Sequence, residues 1–183
     1  LVAYYAYQQF CQVKGVEPKA LEDNETMTFD NFLGSYYEDS GDNPALGNNP
    51  DTLVAYLPSS TNEMTFTDKN GNVTPWKVVY DATDYGRGAK YNCFIGGDQP
   101  YEEIHNPTRT DGSAVLVIKE SFGNAFVPFL VDDYQDVYVV DYRYYNGSIK
   151  TLCQEKGIDD VIFCNNLNAT GTPSRISDME RIL

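Results

Sequence analysis

The stretch "SAVLVIKESFGNAFVPF", residues 113–129, decides the fold class. Its continuous apolar run, 114–118, is typical of a strand that is covered on both faces. The run leads directly into Lys119, Glu120 and Ser121, and an apolar segment with helical spacing follows. A covered strand that passes at once into a helix is the unit of α/β folds. The stretch therefore predicts a strand and a helix, with Ser121 at the turn between them.

Two roles are open for Ser121 at this turn. Serine is a favoured N-cap residue, because its hydroxyl oxygen accepts a hydrogen bond from a free N–H at the start of a helix. The same position suits a nucleophile, since free N–H groups there can hold a developing oxyanion and Gly123 lets a substrate approach the backbone closely. The elbow G-x-S-x-G of lipases is not met, because Lys119 precedes the serine by two residues.

The segments that follow continue the α/β pattern. "DVYVVDY" (136–142) and "DDVIFCNN" (159–166) are strand-like, and "GSIKTLCQEKG" (147–157) between them is helical. This alternation predicts three parallel strands near 114–118, 136–142 and 160–164. The carboxyl ends of parallel strands meet at one edge of a sheet, where ligands bind in such folds. We therefore expect the residues that follow the three strands to meet there, namely Ser121, Arg143 and either Asn165 or Asn166.

The chain upstream of residue 111 is less regular. Residues 1–14 have the pattern of an amphipathic helix that ends near Gly15, and residues 28–51 read as a long loop with one short element. Four short strands are indicated further on, with an Asn-Gly hairpin turn between the second and the third: "TLVAYLP", "EMTFTD", "PWKVVYD" and "YNCFIG". We predict one domain with an N-terminal helix region (1–27), a loop and β-rich insertion (28–110) that faces one end of the sheet, and a parallel βαβαβ core (111–183).

Composition narrows the classes of function. The 183 residues include 13 Lys and Arg against 27 Asp and Glu, which gives a formal charge of -14. Such a surface repels phosphate backbones and anionic lipids, so it argues against nucleic acid and membrane surfaces as partners. No apolar run reaches the roughly 18 residues of a transmembrane helix. The four cysteines form no CxxC pair, which argues against a zinc site. The sequence is compatible with one or two disulfides in an exported protein. Cys164, at the end of an apolar strand, is predicted to be a buried thiol.

The polar residues at the predicted edge also have plainer explanations. Arg143 can be a surface arginine paired with Asp141, and either asparagine can be a turn residue. A serine, a guanidinium and an amide on one edge nevertheless fit an oxyanion site better than three unrelated residues do. The chain has one histidine, His105, in a polar segment that reads as a loop, and a lone histidine there is more often incidental than catalytic.

Three motifs carry a resemblance to a known family. "VLVIKESFGNAFVPFL" (115–130), "VYVVDYRYYNG" (137–147) and "GGDQP" (96–100) resemble the DHHW proteins, a branch of the SGNH-type hydrolases similar to alginate O-acetyltransferases. The resemblance implies an SGNH hydrolase-like, flavodoxin-like three-layer sandwich with a central parallel sheet. It implies that Ser121 is the nucleophile and that its own N–H is one oxyanion donor. Glu120 stands where such motifs usually carry Asp, and the asparagine block lacks the usual Gly-x-Asn-Asp form.

The remaining site roles follow from the same resemblance. Asn165 or Asn166 would supply the amide donor to the oxyanion, Arg143 would lie near the second oxyanion position, and Gly123 would line the oxyanion or substrate site. In the family the acid and the base belong to a DHHW motif that precedes a helix like "YYAYQQFC" (4–11). The resemblance therefore implies an N-terminally truncated domain whose Asp-His dyad lies before Leu1, and we expect residues 1–183 alone to be nearly inert.

The function that the resemblance implies is a serine-dependent acyl-ester enzyme, an O-acetyltransferase or esterase that acts on an exported or cell-surface polysaccharide. It implies an extracytoplasmic location, a carbohydrate substrate, a membrane-bound acyl-transferring partner, and neither a metal nor an organic cofactor. The alternative is a non-catalytic carbohydrate-binding or scaffold domain on the same fold, with Ser121 as a helix cap. A flavodoxin-like binder of small anions fits the layer order but lacks a Gly-rich phosphate loop.

Overall fold

The computed structural model describes residues 1–183. Its helices are α1 (Val2–Lys14), α2 (Ser35–Asp39), α3 (Pro44–Gly47), α4 (Ile149–Lys156) and α5 (Pro173–Ile182). Its strands are β1 (Thr26–Phe32), β2 (Asp51–Tyr56), β3 (Glu63–Thr67), β4 (Val73–Trp76), β5 (Tyr101–His105), β6 (Ala114–Lys119), β7 (Asp136–Asp141) and β8 (Asp160–Cys164). The fold is mixed α/β.

A mixed six-stranded sheet forms the centre of the fold, with the strand order β4-β3-β5-β7-β6-β8. Strand β6 pairs in parallel with β7 on one side and with β8 on the other, which confirms the three predicted parallel strands. The expectation of a wholly parallel sheet is wrong, because β5 pairs antiparallel with β7 and β3 with both β5 and β4. The segment predicted as an insertion at one end of the sheet thus supplies three of its strands.

The N-terminal half differs from its predicted pattern at three places. The region 28–51 is not one long loop, because β1 extends into it and pairs with β2 in a separate two-stranded sheet. The segment "YEEIH" is strand β5, so His105 ends a strand and does not lie in a loop. The segment "YNCFIG" is a 3₁₀ turn and not a strand, although Phe94 makes one bridge to Val79. The Asn-Gly hairpin is confirmed as the turn between β3 and β4.

The two faces of the sheet carry separate cores, since side chains alternate between the faces along each strand. Val115, Val117 and Val139 belong to the larger core, together with Tyr7 and Cys11 of α1. The other face contacts α4 and α5 through a smaller core. Its members are Ala114, Leu116, Ile118, Tyr138, Val140, Tyr142, Ile149, Leu152 and Ile182. Every residue of β6 is buried, as expected of a central strand covered on both faces.

The helix predicted after Ser121 is absent. The chain forms two short 3₁₀ turns instead, Ser121–Gly123 and Val127–Leu130. Pro128 stands in the first turn of the second one, where a proline is tolerated because its missing N–H would have no partner there. Inside a longer helix the same proline would remove a hydrogen bond, which is why the apolar spacing of 122–130 does not become an α-helix.

The predicted helices elsewhere begin and end where local chemistry dictates. Helix α1 ends at Gly15, whose φ of 69° lies in the left-handed region that glycine adopts without steric cost. Helix α4 begins after Ser148, whose hydroxyl accepts a hydrogen bond from the Thr151 N–H, and ends at Gly157 in the left-handed region. Both helices confirm the pattern read from the sequence.

Two properties of the whole chain bear on its class. None of its helices combines the length and the apolar composition that crossing a bilayer requires. All four cysteines are free thiols, and Cys11 and Cys93 are buried. Cys164, expected to be buried, is only partly so.

The central position of β6 has a measurable consequence. Leu116→Ala should lower the free energy of unfolding by about 2–5 kcal/mol, because it leaves a cavity in the smaller core. Leu46→Ala is the control, since Leu46 is exposed and should change stability by less than about 0.5 kcal/mol. Urea unfolding of the two variants and the parent measures both values. Similar losses in the two variants would contradict a core centred on β6.

Candidate active site

The candidate site lies at the sheet edge where the three parallel strands end. Lys119, Asp141 and Cys164 are register partners at the carboxyl ends of β6, β7 and β8. Ser121, Arg143 and Asn166 each follow one of these residues by two positions. The parallel register therefore brings the three predicted residues to one edge, as expected from the strand pattern.

Glu120 connects two of these strand ends. One carboxylate oxygen, Oε1, accepts a hydrogen bond of 2.9 Å from the Asn166 N–H after β8. The other, Oε2, accepts hydrogen bonds from the Ser121 hydroxyl at 3.2 Å and from the Phe122 N–H at 3.4 Å. Only 5% of Glu120 is exposed. A single buried carboxylate thus holds both the serine hydroxyl and the start of the asparagine segment.

These contacts change the expected role of Ser121 and its neighbours. The N-cap of the Ser121–Gly123 turn is Glu120, so the cap reading of Ser121 is wrong. The Ser121 side chain, half-buried, donates its proton to Glu120 and caps no helix. The prediction that the N–H groups after Ser121 are free to bind an oxyanion is also wrong in part. The Phe122 N–H donates to the Glu120 carboxylate and the Gly123 N–H to the Glu120 carbonyl.

Gly123 serves packing at this turn and not the approach of a substrate. It is buried, and a Cβ at this position would lie 2.5 Å from Cβ of Lys119. Any larger residue would push the turn away from the end of β6, because Cβ of Lys119 is fixed by the backbone and cannot move aside. The assignment of Gly123 to the substrate site is therefore not supported by its position.

A buried ion cluster lies beneath the turn. The Lys119 ammonium is fully buried and is 3.4 Å from an Asp141 oxygen and 3.9 Å from oxygens of Asp98 and Glu102. Asp98 comes from the "GGDQP" loop that leads into β5, and it also accepts a hydrogen bond from Asn124 Nδ2 at 3.0 Å. The cluster therefore joins β5, β6, β7, the loop before β5 and the turn after Ser121.

Arg143 belongs to the same cluster. Its guanidinium contacts Asp141 through both Nε, at 2.8 Å, and Nη2, and contacts Asp98 through Nη2 at 2.8 Å. Burial acts to lower the pKa of Arg143, but the hydrogen bonds and charges of Asp141 and Asp98 outweigh it and raise that pKa. The plainer reading of Arg143 as a partner of Asp141 therefore holds. Its charge is neutralised at this edge and is not free for an oxyanion.

Glu102 is the one member of the cluster without a hydrogen-bond partner. Its side chain is fully buried, and neither carboxyl oxygen accepts or donates a hydrogen bond. Burial raises the pKa of Glu102 to about 8, although the Lys119 ammonium acts to lower it. Two cations, Lys119 and Arg143, already balance the two anions Asp98 and Asp141. Glu102 is therefore neutral near pH 7.

The two asparagines after β8 have different surroundings. Asn166 caps the 3₁₀ turn Leu167–Gly171, because its Oδ1 accepts a hydrogen bond from the Ala169 N–H. Asn165 donates from Nδ2 to the sulfur of Met179 at 3.7 Å, and its Oδ1 is buried without a partner. Asn166 is thus tied to Glu120 by its backbone and acts as a turn residue through its side chain. Both line the cleft beside Ser121.

That cleft is mostly apolar and has a volume of about 660 Å³. It runs from the turn after Ser121 to the start of α1, and Phe122, exposed to 60%, forms part of its wall. Asn165 and Asn166 supply amides at its polar end. The remaining lining residues are Leu1, Val2, Ala3, Ala6, Phe32, Asp51, Thr52, Leu53, Val54, Tyr91, Phe94, Ala125, Phe126, Cys164 and Leu167.

His105 lies at the opposite edge of the sheet. It is the register partner of Asp136, at the start of β7, and its Nδ1 is 2.7 Å from an oxygen of that residue. Asp136 lies five residues before Asp141 along β7, which corresponds to a distance of about 17 Å. His105 therefore cannot take the proton of Ser121. No group of three or more His, Cys, Asp or Glu side chains is arranged to hold a metal ion.

The sequence indicated some of these residues and missed others. Asp98, Glu102 and Glu120 form the contacts around the edge, yet none was singled out as a site residue. The "GGDQP" motif was a signal for Asp98, since a glycine pair before a buried strand marks a constrained loop. No sequence signal reports that the Asn166 N–H, 46 residues away, binds Glu120.

Comparisons with known proteins bear on this arrangement. The family described as "DHHW protein" matches residues 1–140, which is more than half of the chain. A comparison with curated proteins finds no match.

Solved structures share the fold. A crystal structure of a DHHW family protein from Eubacterium siraeum is 28% identical, with a TM-score of 0.88 over 99% of this chain and 60% of that one. Bacillus cereus PatB1 with a sulfonyl adduct is 21% identical, with a TM-score of 0.68 over 90% of this chain and 56% of that one. Bacillus cereus PatB1 without the adduct is also 21% identical, with a TM-score of 0.67 over 90% of this chain and 58% of that one. The present chain thus spans less than two thirds of these proteins.

Glu102 makes stability depend on pH in a defined window. Because its folded-state pKa of about 8 lies above the ordinary value of 4.5, its contribution to stability is complete below about pH 4.5 and is lost as the pH rises through 8. Glu102→Gln removes this titration. Between pH 5 and 8 the variant should therefore gain stability relative to the parent by about 1 kcal/mol per pH unit.

The neighbouring Glu103 provides the control for that measurement. Burial acts to raise the pKa of Glu103, but the hydrogen bonds with Lys156 and Tyr101 and the charge of Lys156 together outweigh this effect and lower the pKa. Its contribution is present above the unfolded pKa and is lost only as the pH falls through the folded one. Glu103→Gln should therefore leave the window from pH 5 to 8 unchanged. Denaturant midpoints across the pH range measure both variants, and parallel curves for parent and Glu102→Gln would contradict a neutral Glu102.

Proposed function

The chain belongs to the DHHW family, and from this membership we propose that it forms the serine-bearing part of an acyl-ester enzyme on an SGNH hydrolase-like fold. The reaction class is O-acetyl transfer or ester hydrolysis, as in the alginate O-acetyltransferases that the motifs resemble. Ser121 is the nucleophile of this proposal. The fold likeness to PatB1, whose structure contains a sulfonyl adduct, is consistent with it and extends to the fold alone.

The observation that supports the proposal best is the position of the Ser121 hydroxyl. It is half-buried at the end of a central parallel strand, where open α/β sheets bind ligands. Its Oγ is held at 3.2 Å by a buried carboxylate, and the next residue, Phe122, lines an open, mostly apolar cleft that also contains Asn165 and Asn166. A serine on a solvated turn has no such fixed rotamer.

The proposed chemistry is a transfer in two steps. Ser121 Oγ forms a bond to the carbonyl carbon of an acyl ester while the bond from that carbon to the alcohol oxygen breaks, and the serine proton passes to the departing alcohol. A sugar hydroxyl or water then takes the acyl group, and its proton returns to Ser121. The developing oxyanion needs hydrogen-bond donors, for which the Ser121 N–H and the amide of Asn165 or Asn166 are the candidates.

The wider setting is part of the same proposal. The acceptor is a hydroxyl of an exported or cell-surface polysaccharide, the location is extracytoplasmic, and the acyl group comes from a membrane-bound transferring partner. These features follow from the family that the motifs resemble.

A non-catalytic carbohydrate-binding or scaffold domain is the second candidate, and one observation favours it. A serine hydroxyl needs a neighbouring base to become nucleophilic, and the only histidine of this chain lies at the opposite edge. Arg143, expected near the oxyanion, is bound to two carboxylates. Activity of residues 1–183 therefore depends on a base from elsewhere. Without one, residual catalysis of roughly a thousandfold over water is the most that binding and oxyanion donors supply.

Labelling with an aryl sulfonyl fluoride tests the assignment of Ser121. Because residues 1–183 depend on a base from elsewhere, the parent in this experiment is the full-length protein. It should acquire one sulfonyl group on the peptide that contains Ser121, and Ser121→Ala should remove both this label and any hydrolysis of a small acetyl ester. Its melting temperature should stay close to that of the parent, because Glu120 and not Ser121 caps the turn. Peptide mass spectrometry and ester hydrolysis measure the two outcomes.

Ser60→Ala is the matched control for that experiment. The Ser60 hydroxyl also donates to a partly buried carboxylate, at 2.7 Å from Asp132, but this carboxylate precedes β7 and does not lie at the edge where β6 and β8 end. This variant should keep the label and the hydrolysis of the parent. If Ser121→Ala keeps both as well, Ser121 is not the nucleophile and the binding domain becomes the better account.

A further inference from the structure

Glu120 accepts hydrogen bonds from groups that belong to two separate parts of the chain. The Ser121 hydroxyl and the Phe122 N–H belong to the turn after β6, whereas the Asn166 N–H belongs to the segment after β8. All three donors point at one carboxylate that is 5% exposed. A buried carboxylate without donors is costly, so this arrangement holds the two segments together whenever Glu120 is ionised.

The arrangement also fixes the geometry of the serine. A free serine side chain samples three staggered rotamers. The hydrogen bond to Glu120 Oε2 selects one of them, and the bond from Asn166 to Oε1 fixes the carboxylate that makes the selection. The Asn165–Asn166 wall of the cleft is thereby placed in a constant relation to the serine oxygen.

Solvent reaches little of this carboxylate. Glu120 borders a small polar pocket of about 120 Å³ that is partly open to solvent, with Tyr142, Asn166 and Arg175, but only 5% of Glu120 is exposed. The three protein donors are therefore its main hydrogen-bond partners.

From these contacts we propose that Glu120 is a positioning residue, which aligns the Ser121 hydroxyl with the Asn165–Asn166 wall by joining the ends of β6 and β8. This inference rests on the proposed function insofar as Ser121 reacts, but the joining of the two strand ends stands independently of it. Glu120 contacts the Ser121 hydroxyl and the Asn166 N–H and fixes where both lie, and the inference assigns it no contact with the acyl substrate.

Glu120→Gln tests the inference with little change of shape. A carboxylate offers acceptors to all three donors, whereas a carboxamide offers one oxygen and one NH2 group. In either orientation of the amide, the NH2 group meets the Asn166 N–H or the donors of the Ser121 turn. We expect sulfonylation of Ser121 to slow by at least about tenfold, as for the loss of a charge-assisted hydrogen bond. The amide proton resonance of Asn166 or of Phe122 should also move upfield.

Asp132→Asn is the matched control. Asp132 accepts hydrogen bonds from the N–H groups of Ser59 and Ser60 and from the Ser60 hydroxyl, as Glu120 does from its own N–H and hydroxyl donors, and it also pairs with the Lys19 ammonium. It precedes β7, away from the ends of β6 and β8. This variant should lower the melting temperature and leave the sulfonylation rate and the Asn166 resonance unchanged. Glu120→Asp is a second variant. It keeps the charge and the favoured cap, but its shorter side chain cannot hold both strand ends, so an intermediate rate is expected.

The outcomes separate the inference from the proposed function. If Glu120→Gln reacts at the parental rate while Ser121→Ala does not react, Glu120 has no positioning role and the function stands. If the full-length parent is not labelled at Ser121, the proposed function fails, and the Asn166 and Phe122 resonances then decide whether Glu120 joins the strands. Unchanged Asn166 and Phe122 resonances in both Glu120 variants overturn the inference whatever the labelling shows.

Discussion

The buried ammonium of Lys119 is the constraint on which the edge of this sheet depends. A fully buried charge is tolerated only where opposite charges surround it, and Asp141 and Asp98 supply them from β7 and from the loop before β5. Asp98 also binds Arg143 and Asn124, so the loop, the two strand ends and the turn after Ser121 share one set of ion pairs. Removing one partner would leave an uncompensated charge, which costs more than the pair itself contributes. The residues at this edge of the sheet therefore depend on one another for their stability.

Glu120 extends this dependence to the third strand. The ion cluster lies on the face of the larger core, and Glu120 is the next residue after Lys119, so its side chain is directed to the other side of β6. From there it reaches the Asn166 N–H after β8. Ser121 lies between the Lys119 ion cluster, which packs beneath its turn, and the Glu120 carboxylate, which accepts a hydrogen bond from its hydroxyl. This order explains how a short 3₁₀ turn without a long helix behind it keeps Ser121 in one position.

The parts of the fold that the sequence could predict are those with local causes. Strand β6 is apolar on both faces, and α4 has a serine cap and a terminal glycine, so both were recognisable. Strand β5 was missed because Glu102, in "YEEIH", is fully buried, whereas an acidic residue in a sequence suggests a solvent-exposed position. The helix expected after Ser121 failed because Pro128 confines the apolar segment to turns. The Glu120–Asn166 bond depends on the register of β6 and β8, which no local pattern reports.

The account centres on Ser121 as a positioned nucleophile, and a crystal structure of the sulfonylated protein tests it most directly. We expect continuous density from Ser121 Oγ to the sulfonyl sulfur, with the aryl group in the cleft beside Phe122 and the Asn166 N–H still bound to Glu120 Oε1. Density for the sulfonyl group on a tyrosine or lysine elsewhere, with Ser121 Oγ unmodified and still donating to Glu120, would contradict the account.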